Sequence, residues 1–401
     1  MSGESGRELF GPSPGDAVFD QMVDVRRAVH RRPELAFDEH RTTALIRDHM
    51  ASLGIDEALR VTETGGIFAM DGGRPGRTVV LRGDIDALPV QEDTTRAVHS
   101  EVEGLMHACG HDVHVGSLLG AASVLASRRD DLPGRYVFLF QPAEEELCGA
   151  KAMLEGGALS VMSGARLIGF HVTSVIPTGM LALRAGISMA EAHSVRITLH
   201  GPGGHAAVPN ATGDVIRATA ELVTRMRSVV EGLAYEGTDC VCGASTLRAG
   251  TAPNVVPTSS LVTGTLRTFT DGQREEAIGR LQALCGEVAD DQGVSIELQL
   301  PEHTPAVLND AAVVDLVEAE AKAALGDAAV FRMPPAAPSD DVSEFLNHLP
   351  GCYFFVGGAA ADGSSGMHHS PGFFVEDGAL RVGASVLVRG AVALAGEASP
   401  G

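Results

Sequence analysis

Lysine is almost absent from this chain. Lys151 and Lys322 are the only two among 401 residues, and arginine supplies nearly all of the positive charge. That bias, shared with alanine and glycine, reflects GC-rich coding and says little about function. Positive charge as a whole is scarce, with a formal net charge of −22. A nucleic-acid partner is therefore excluded, because phosphate binding needs a basic face. The acidity serves solubility. No apolar run reads as long enough to span a bilayer, so no membrane association is expected. The first fourteen residues are polar, with neither a basic start nor an apolar core, and do not read as a secretory signal. Six cysteines at irregular spacings in so long a chain do not make a disulfide framework. A reducing cytoplasm fits, and it leaves thiols free as ligands. There is no internal repeat and no low-complexity segment.

What is present is concentrated in one run, Met106-His107-Ala108-Cys109-Gly110-His111-Asp112-Val113-His114. Thiolate and imidazole donors stand there beside a carboxylate, with Cys109 and His111 at the spacing of a metal-binding turn. Further donors, Glu144-Glu145-Glu146, His171 and His368-His369, are scattered along the chain, so only a fold can gather them. That pattern points to a catalytic metal site and not to a zinc finger. Cys240 and Cys242 form a C-x-C with no second pair nearby, which reads as a buried strand.

The length, with 44% hydrophobic residues, suggests two or three domains. Helices are expected over 16–31 and 39–53, the second ending at Gly54. Buried strands are expected at 78–81, 136–140 and 167–170, with a helix over 113–126 between the first two. Asp84 and Asp86, then Glu144-Glu145, then His171 directly follow those three strands. In an α/β sheet the site lies at the carboxyl ends of strands. From Ser188 to Pro301 the rhythm changes to strand, helix, strand, strand, helix, strand, the split βαβ pattern of an inserted domain. The chain then returns to the first domain with a strand at 353–356 and a helix over 376–394.

Adjacent Glu144 and Glu145 on a strand-to-turn segment point different ways. One can hold a metal while the other faces substrate. That division suits metal-assisted hydrolysis, in which the metal lowers the pKa of bound water to about 7 and a carboxylate carries the proton. Asp86 is placed to orient a ligating histidine through its ring N–H. Asp84 reads equally as a helix cap. His107 and His114 read as supporting or simply structural.

Several segments together resemble one family. Arg82-Gly83-Asp84-Ile85-Asp86-Ala87-Leu88-Pro89, Cys109-Gly110-His111-Asp112 and Gln141-Pro142-Ala143-Glu144-Glu145 resemble the amidohydrolase branch of the carboxypeptidase/aminoacylase metallopeptidases. That branch includes hippurate hydrolases, N-acyl-amino-acid amidohydrolases and auxin-conjugate hydrolases. Segments at 30–35, 203–207, 250–255, 264–269 and 369–371 match in family order, so the resemblance covers nearly the whole chain.

The resemblance implies an α/β, zinc-peptidase-like catalytic domain with a mixed central sheet flanked by helices, over 1–187 and 302–401. A ferredoxin-like lid and dimerisation domain would be inserted at 188–301. It implies two divalent metals per subunit (Zn, Mn, Co or Ni) held by Cys109, His111, Glu145, His171 and His369. Glu144 matches the catalytic base, with Asp86 beside it as the orienter of a ligating histidine. His205 matches a lid histidine that reaches the partner's site in dimeric members and holds the oxyanion. Asn254 and Arg267 match residues near the substrate's polar end, and an arginine grips a carboxylate bidentately. The implied reaction is hydrolysis of an N-acyl amino acid by a homodimer. The alternatives are a metallo-dipeptidase or carboxypeptidase of the same superfamily, or a non-catalytic binding protein on this fold. Departures from the family pattern fall at Asn210, at Leu147-Cys148, at Thr173-Ser174 and at Asp340 and Val342, around the expected substrate pocket.

Overall fold

The computed structural model describes residues 17–208, 213–301 and 303–397. Asn210, Asp16 and the boundary residue 302 lie outside the described residues. The chain folds as two compact units. The first takes Met1–Gly186, Leu308–Met333 and Asp341–Gly401; the second takes Ile187–Val307 and Pro334–Asp340. The short 334–340 stretch, read from sequence as part of the first domain, joins the second because Ala190 N–H donates to Ala336 O (3.0 Å) and Thr238 Oγ1 to Pro335 O (2.7 Å).

The first unit is built on an eight-stranded mixed sheet. Its central strands, Pro133–Gln141, Arg74–Asp84, Arg166–Pro177 and Gly351–Ala359, run parallel to one another. Antiparallel pairs extend the sheet at both flanks. The parallel strands are buried along most of their length (Val79, Val80, Leu81, Phe138, Leu139, Phe140, Ile168, Phe354), as strands covered on both faces must be. Helix His111–Ser127 is buried through all but its last two residues, and helix Gly378–Gly396 is almost as deeply covered. That final helix is long and apolar enough to cross a bilayer, which corrects the expectation that no segment is. Most of it is buried in the core, as an apolar core helix should be.

Sequence also placed His171 just past a strand end. It lies in the middle of Arg166–Pro177. Pairing with Arg74–Asp84 stops at Arg82↔Gly169, whereas pairing with Gly351–Ala359 continues through His171↔Phe355. On one side, therefore, the sheet has already opened where His171 stands.

The second unit has a five-stranded antiparallel sheet in the spatial order Val241–Ala249, Ser259–Thr268, Glu191–His200, Ser295–Gln299, with the short strand His303–Thr304 also paired to Glu191–His200. Helices Val215–Arg225 and Asp271–Gln292 complete a β-α-β-β-α-β order. The helices start on side-chain caps, Asp214 accepting from Ile216 N–H and Thr270 from Gln273 N–H. Cys240 and Cys242 are buried in this unit's core, and all six cysteines are free.

Candidate metal centre

Three segments of the first unit converge on Cys109. Gly110 opens helix His111–Ser127 with φ +89°, a conformation favouring glycine, and an added Cβ would lie 2.3 Å from Val172 Cγ1. This tight turn places Cys109 on one side of the helix start and His111 in its first turn. The Cys109 sulfur lies 3.4 Å from His171 Nε2. The His171 Nδ1–H donates to Val172 O (2.7 Å), which leaves Nε2 with its lone pair towards the sulfur.

Glu144 and Glu145 approach from the end of strand Pro133–Gln141. Glu144 Oε2 lies 3.7 Å and Glu145 Oε1 3.8 Å from the same atom, His111 Nε2. Backbone strain brackets the pair. Ala143 and Leu147 both take left-handed φ, +53° and +51°, which bulky non-glycine residues rarely adopt. Two buried acids hold this turn. Glu39 accepts from Ala143 N–H (2.9 Å), and Asp341 accepts from Ala150 N–H (2.9 Å) and Gln141 Nε2. Neither acid reads as a site residue from the sequence. Gly149 lets the turn close on itself, since a Cβ there would stand 1.7 Å from Pro142 O.

Asp86 ties two of these segments together. Its carbonyl and Oδ1 accept from His111 Nδ1–H (2.9 and 3.2 Å), and its Oδ2 accepts from Glu145 N–H (2.9 Å). The His111 ring is thereby turned so that Nε2 faces the carboxylates. Asp84 does the same for a residue outside the cluster. It pairs with Arg82 and with His114 Nδ1 (2.6 and 2.5 Å), and His114 Nε2 accepts from Val172 N–H (2.9 Å). Both His114 nitrogens are thus engaged. His107 is buried with no partner at either ring nitrogen among the described residues, and burial pushes its pKa down to about 4. Asp112 accepts from Arg26 (3.0 Å) and His30 (3.1 Å), so it pins the first helix instead of facing the cluster.

The two adjacent histidines divide. His369, exposed and at φ +61°, brings Nε2 to 3.4 Å from Glu145 Oε2. His368 brings Nδ1 to 3.7 Å from the Cys109 sulfur, while its Nε2 accepts from Ser174 N–H (3.3 Å). The tautomer that accepts at Nε2 carries its proton on Nδ1, so His368 faces the sulfur as a donor.

The donors fit a divalent cation. Cys109, His111 and Glu145 bring their ligand atoms within 4.8 Å of one another, and so do Cys109, His171 and His368, whose Nδ1 must give up its proton to ligate. His111 Nε2 and Glu145 Oε1 are buried with no hydrogen-bond partner among the described residues. Without a cation, protons gather there. Burial would lower the His111 pKa, but Asp84, Asp86 and Glu145 outweigh it and raise it to about 10. Burial pushes Glu145 up to about 7 against the opposing His111 charge. Burial, with Glu145 and Glu144 nearby, holds the Cys109 thiol well above its usual range. A metal reverses that logic, because thiolate and carboxylate are its ligands.

A family model described as peptidase family M20/M25/M40 matches residues 80–392. The chain belongs to this family. It is 33% identical over 373 residues to thermostable carboxypeptidase 1 of Saccharolobus solfataricus, covering 92% of this chain and 93% of that one. It is 34% identical over 368 residues to an N-acetylcysteine deacetylase of Bacillus subtilis, covering 91% and 94%. Among solved structures, a Bacillus subtilis protein described as a dinuclear metal binding peptidase from the M20 family superposes with a TM-score of 0.78. It is 30% identical, and the match covers 94% of this chain and 99% of that one. The chain is therefore a metal-dependent hydrolase of the M20 family.

The substrate-side residues expected from sequence lie in the second unit. His205 is exposed on a two-residue strand paired with Val255–Val256, and its Nδ1 accepts from Ala207 N–H (3.0 Å). It lines a cavity of about 560 Å³ together with Val208, Ile216 and Pro253. Asn254 is exposed, its carbonyl accepting from Ala206 N–H (3.1 Å), and Arg267 is half-buried on strand Ser259–Thr268.

Proposed function

We propose that this M20 hydrolase cleaves the amide bond of N-acyl amino acids, releasing a carboxylic acid and a free amino acid. Two divalent metals, held by Cys109, His111, Glu145, His171 and His369, would polarise the acyl carbonyl and acidify the attacking water. Glu144 is the proton carrier. It takes a proton from the attacking water and returns it to the departing amine. His205 donates to the developing oxyanion, and Asn254 and Arg267 hold the polar end of the amino-acid portion. The working form in this reading is a cytoplasmic homodimer joined through the inserted unit.

One observation carries the assignment of roles. Glu144 and Glu145 are neighbours, yet both reach His111 Nε2 from separate carboxylates, at 3.7 and 3.8 Å. Glu145 also meets His369. That supports reading Glu145 as the residue shared among donors and Glu144 as the proton carrier. The deacetylase relative supports an N-acyl substrate, whereas the carboxypeptidase relative supports the peptidase alternative.

The test is a hydrolysis screen on protein reconstituted in turn with Zn, Mn, Co and Ni. N-acetyl, N-benzoyl and longer N-acyl amino acids are compared with dipeptides. Faster turnover of N-acyl amino acids supports the reading. Preference for dipeptides replaces it with the peptidase alternative.

A further inference from the structure

A second group of side chains that could hold a metal ion lies in the other unit. Glu191 and His193 stand two apart on strand Glu191–His200 and so share one face of it. The two-residue strand His303–Thr304 pairs antiparallel with this strand, setting His303 opposite His193. The two imidazoles stack with centroids 4.4 Å apart and planes 18° apart. His303 Nε2 lies 3.1 Å from Glu191 Oε2. The ligand atoms of all three side chains fall within 4.8 Å of one another.

The His193 ring is the decisive feature. The residue is only 8% exposed, and its Nε2 is buried with no hydrogen-bond partner among the described residues. A buried polar atom left unpaired is costly, so such an atom calls for a ligand. Glu191 is fixed firmly enough to serve as the rigid member. Its Oε1 accepts from Thr268 Oγ1 and its Oε2 from Arg274 (2.8 Å). Arg274 also pairs with Asp271 at 2.8 Å, so its charge stays compensated when Glu191 takes on a cation. His303 is the exposed member. Its side chain is 41% exposed and can close on an ion by a change of rotamer.

We propose that Glu191, His193 and His303 form an additional metal site, independent of the hydrolytic centre. Two imidazoles and one carboxylate select a borderline divalent cation such as Zn²⁺ or Cu²⁺ over Mg²⁺ or Ca²⁺. Bound there, the ion fastens the 303–304 strand to the sheet of the second unit.

The test counts metal. Full-length wild type, His303→Ala and His193→Asn are loaded with Zn²⁺, dialysed against metal-free buffer and assayed for zinc per chain, with circular dichroism as a check of folding. Each variant is expected to hold about one zinc fewer than wild type. His303→Ala, altered at an exposed position, keeps its far-UV spectrum and its hydrolytic rate. Cu²⁺ titrated into wild type should give an electron paramagnetic resonance signal with nitrogen coupling that weakens in His303→Ala. Equal zinc content and an equal copper signal in wild type and the folded His303→Ala overturn the site and leave an ion-pair cluster only.

Discussion

Asp84 and His114 form a buried pair, 2.5 Å between Oδ1 and Nδ1, that supports the metal centre without belonging to it. The opposite nitrogen of His114 accepts the Val172 amide, the residue next to His171. The strand that carries His171 is thus held from behind. Arg82 balances Asp84 from its other side (2.6 Å). Removing His114 leaves a buried carboxylate and a buried amide each short of a partner. His114→Ala should destabilise the protein by at least about 2 kcal/mol, since a buried group left without its partner costs about 1–3 kcal/mol and a charged one more. Chemical denaturation measures it, and a loss below about 1 kcal/mol would show that the pair is idle.

Asp86 acts on two of the proposed ligands, through the His111 ring and the Glu145 amide. Loss of such a partner typically weakens metal binding about 10–100-fold. Asp86→Ala should show that drop in competition with a chromogenic chelator while the fold is retained. Unchanged affinity would mean that the Asp86 carbonyl alone orients the ring.

Metal binding should release protons. Cys109, Glu145 and His111 all hold protons more tightly than usual in the cation-free cluster. Calorimetry at pH 7 in buffers of different ionisation enthalpy should therefore report net release of at least about one proton per chain on metal binding. A heat that does not depend on the buffer would contradict the cluster described here.

His30 gives a pH signature of stability. Burial would lower its pKa, but hydrogen bonds to Asp112 and Glu92 prevail and raise it to about 9. A raised folded-state pKa adds stability that is fully present below the unfolded value of about 6.5 and lost as pH rises through 9. The stability advantage of wild type over His30→Gln should therefore fall by up to about 3 kcal/mol between pH 6 and pH 9.5. Denaturation at a series of pH values measures it, and a constant difference would show that His30 is neutral in the fold.

The sequence made the donors legible better than the devices that place them. Cys109-Gly110-His111 and Glu144-Glu145 stand out because the chemistry needs those residue types at those spacings. Asp86 could be read because its role follows from the ligand it faces. Glu39 and Asp341 could not, since each acts on a backbone amide far away in the chain, 104 and 191 residues from Ala143 and Ala150. Glu39 in sequence reads only as a helix start, which it also is. The His368-His369 pair was ambiguous for a related reason. Its division between Cys109 and Glu145 depends on the left-handed backbone at His369, and no side-chain pattern reports that angle. The strand carrying His171 was read too short because its pairing partners end at different points. The split order of the second unit was legible because its strands alternate apolar and polar residues while its helices carry capping residues.

Glu144→Gln tests the central claim most directly, because the change keeps the shape of the side chain and removes only its basicity. Turnover of an N-acyl amino acid and bound metal are measured together on wild type and variant. The expected result is full metal content with kcat lowered about 10²–10⁴-fold. Near-wild-type kcat at full metal content would contradict Glu144 as the proton carrier.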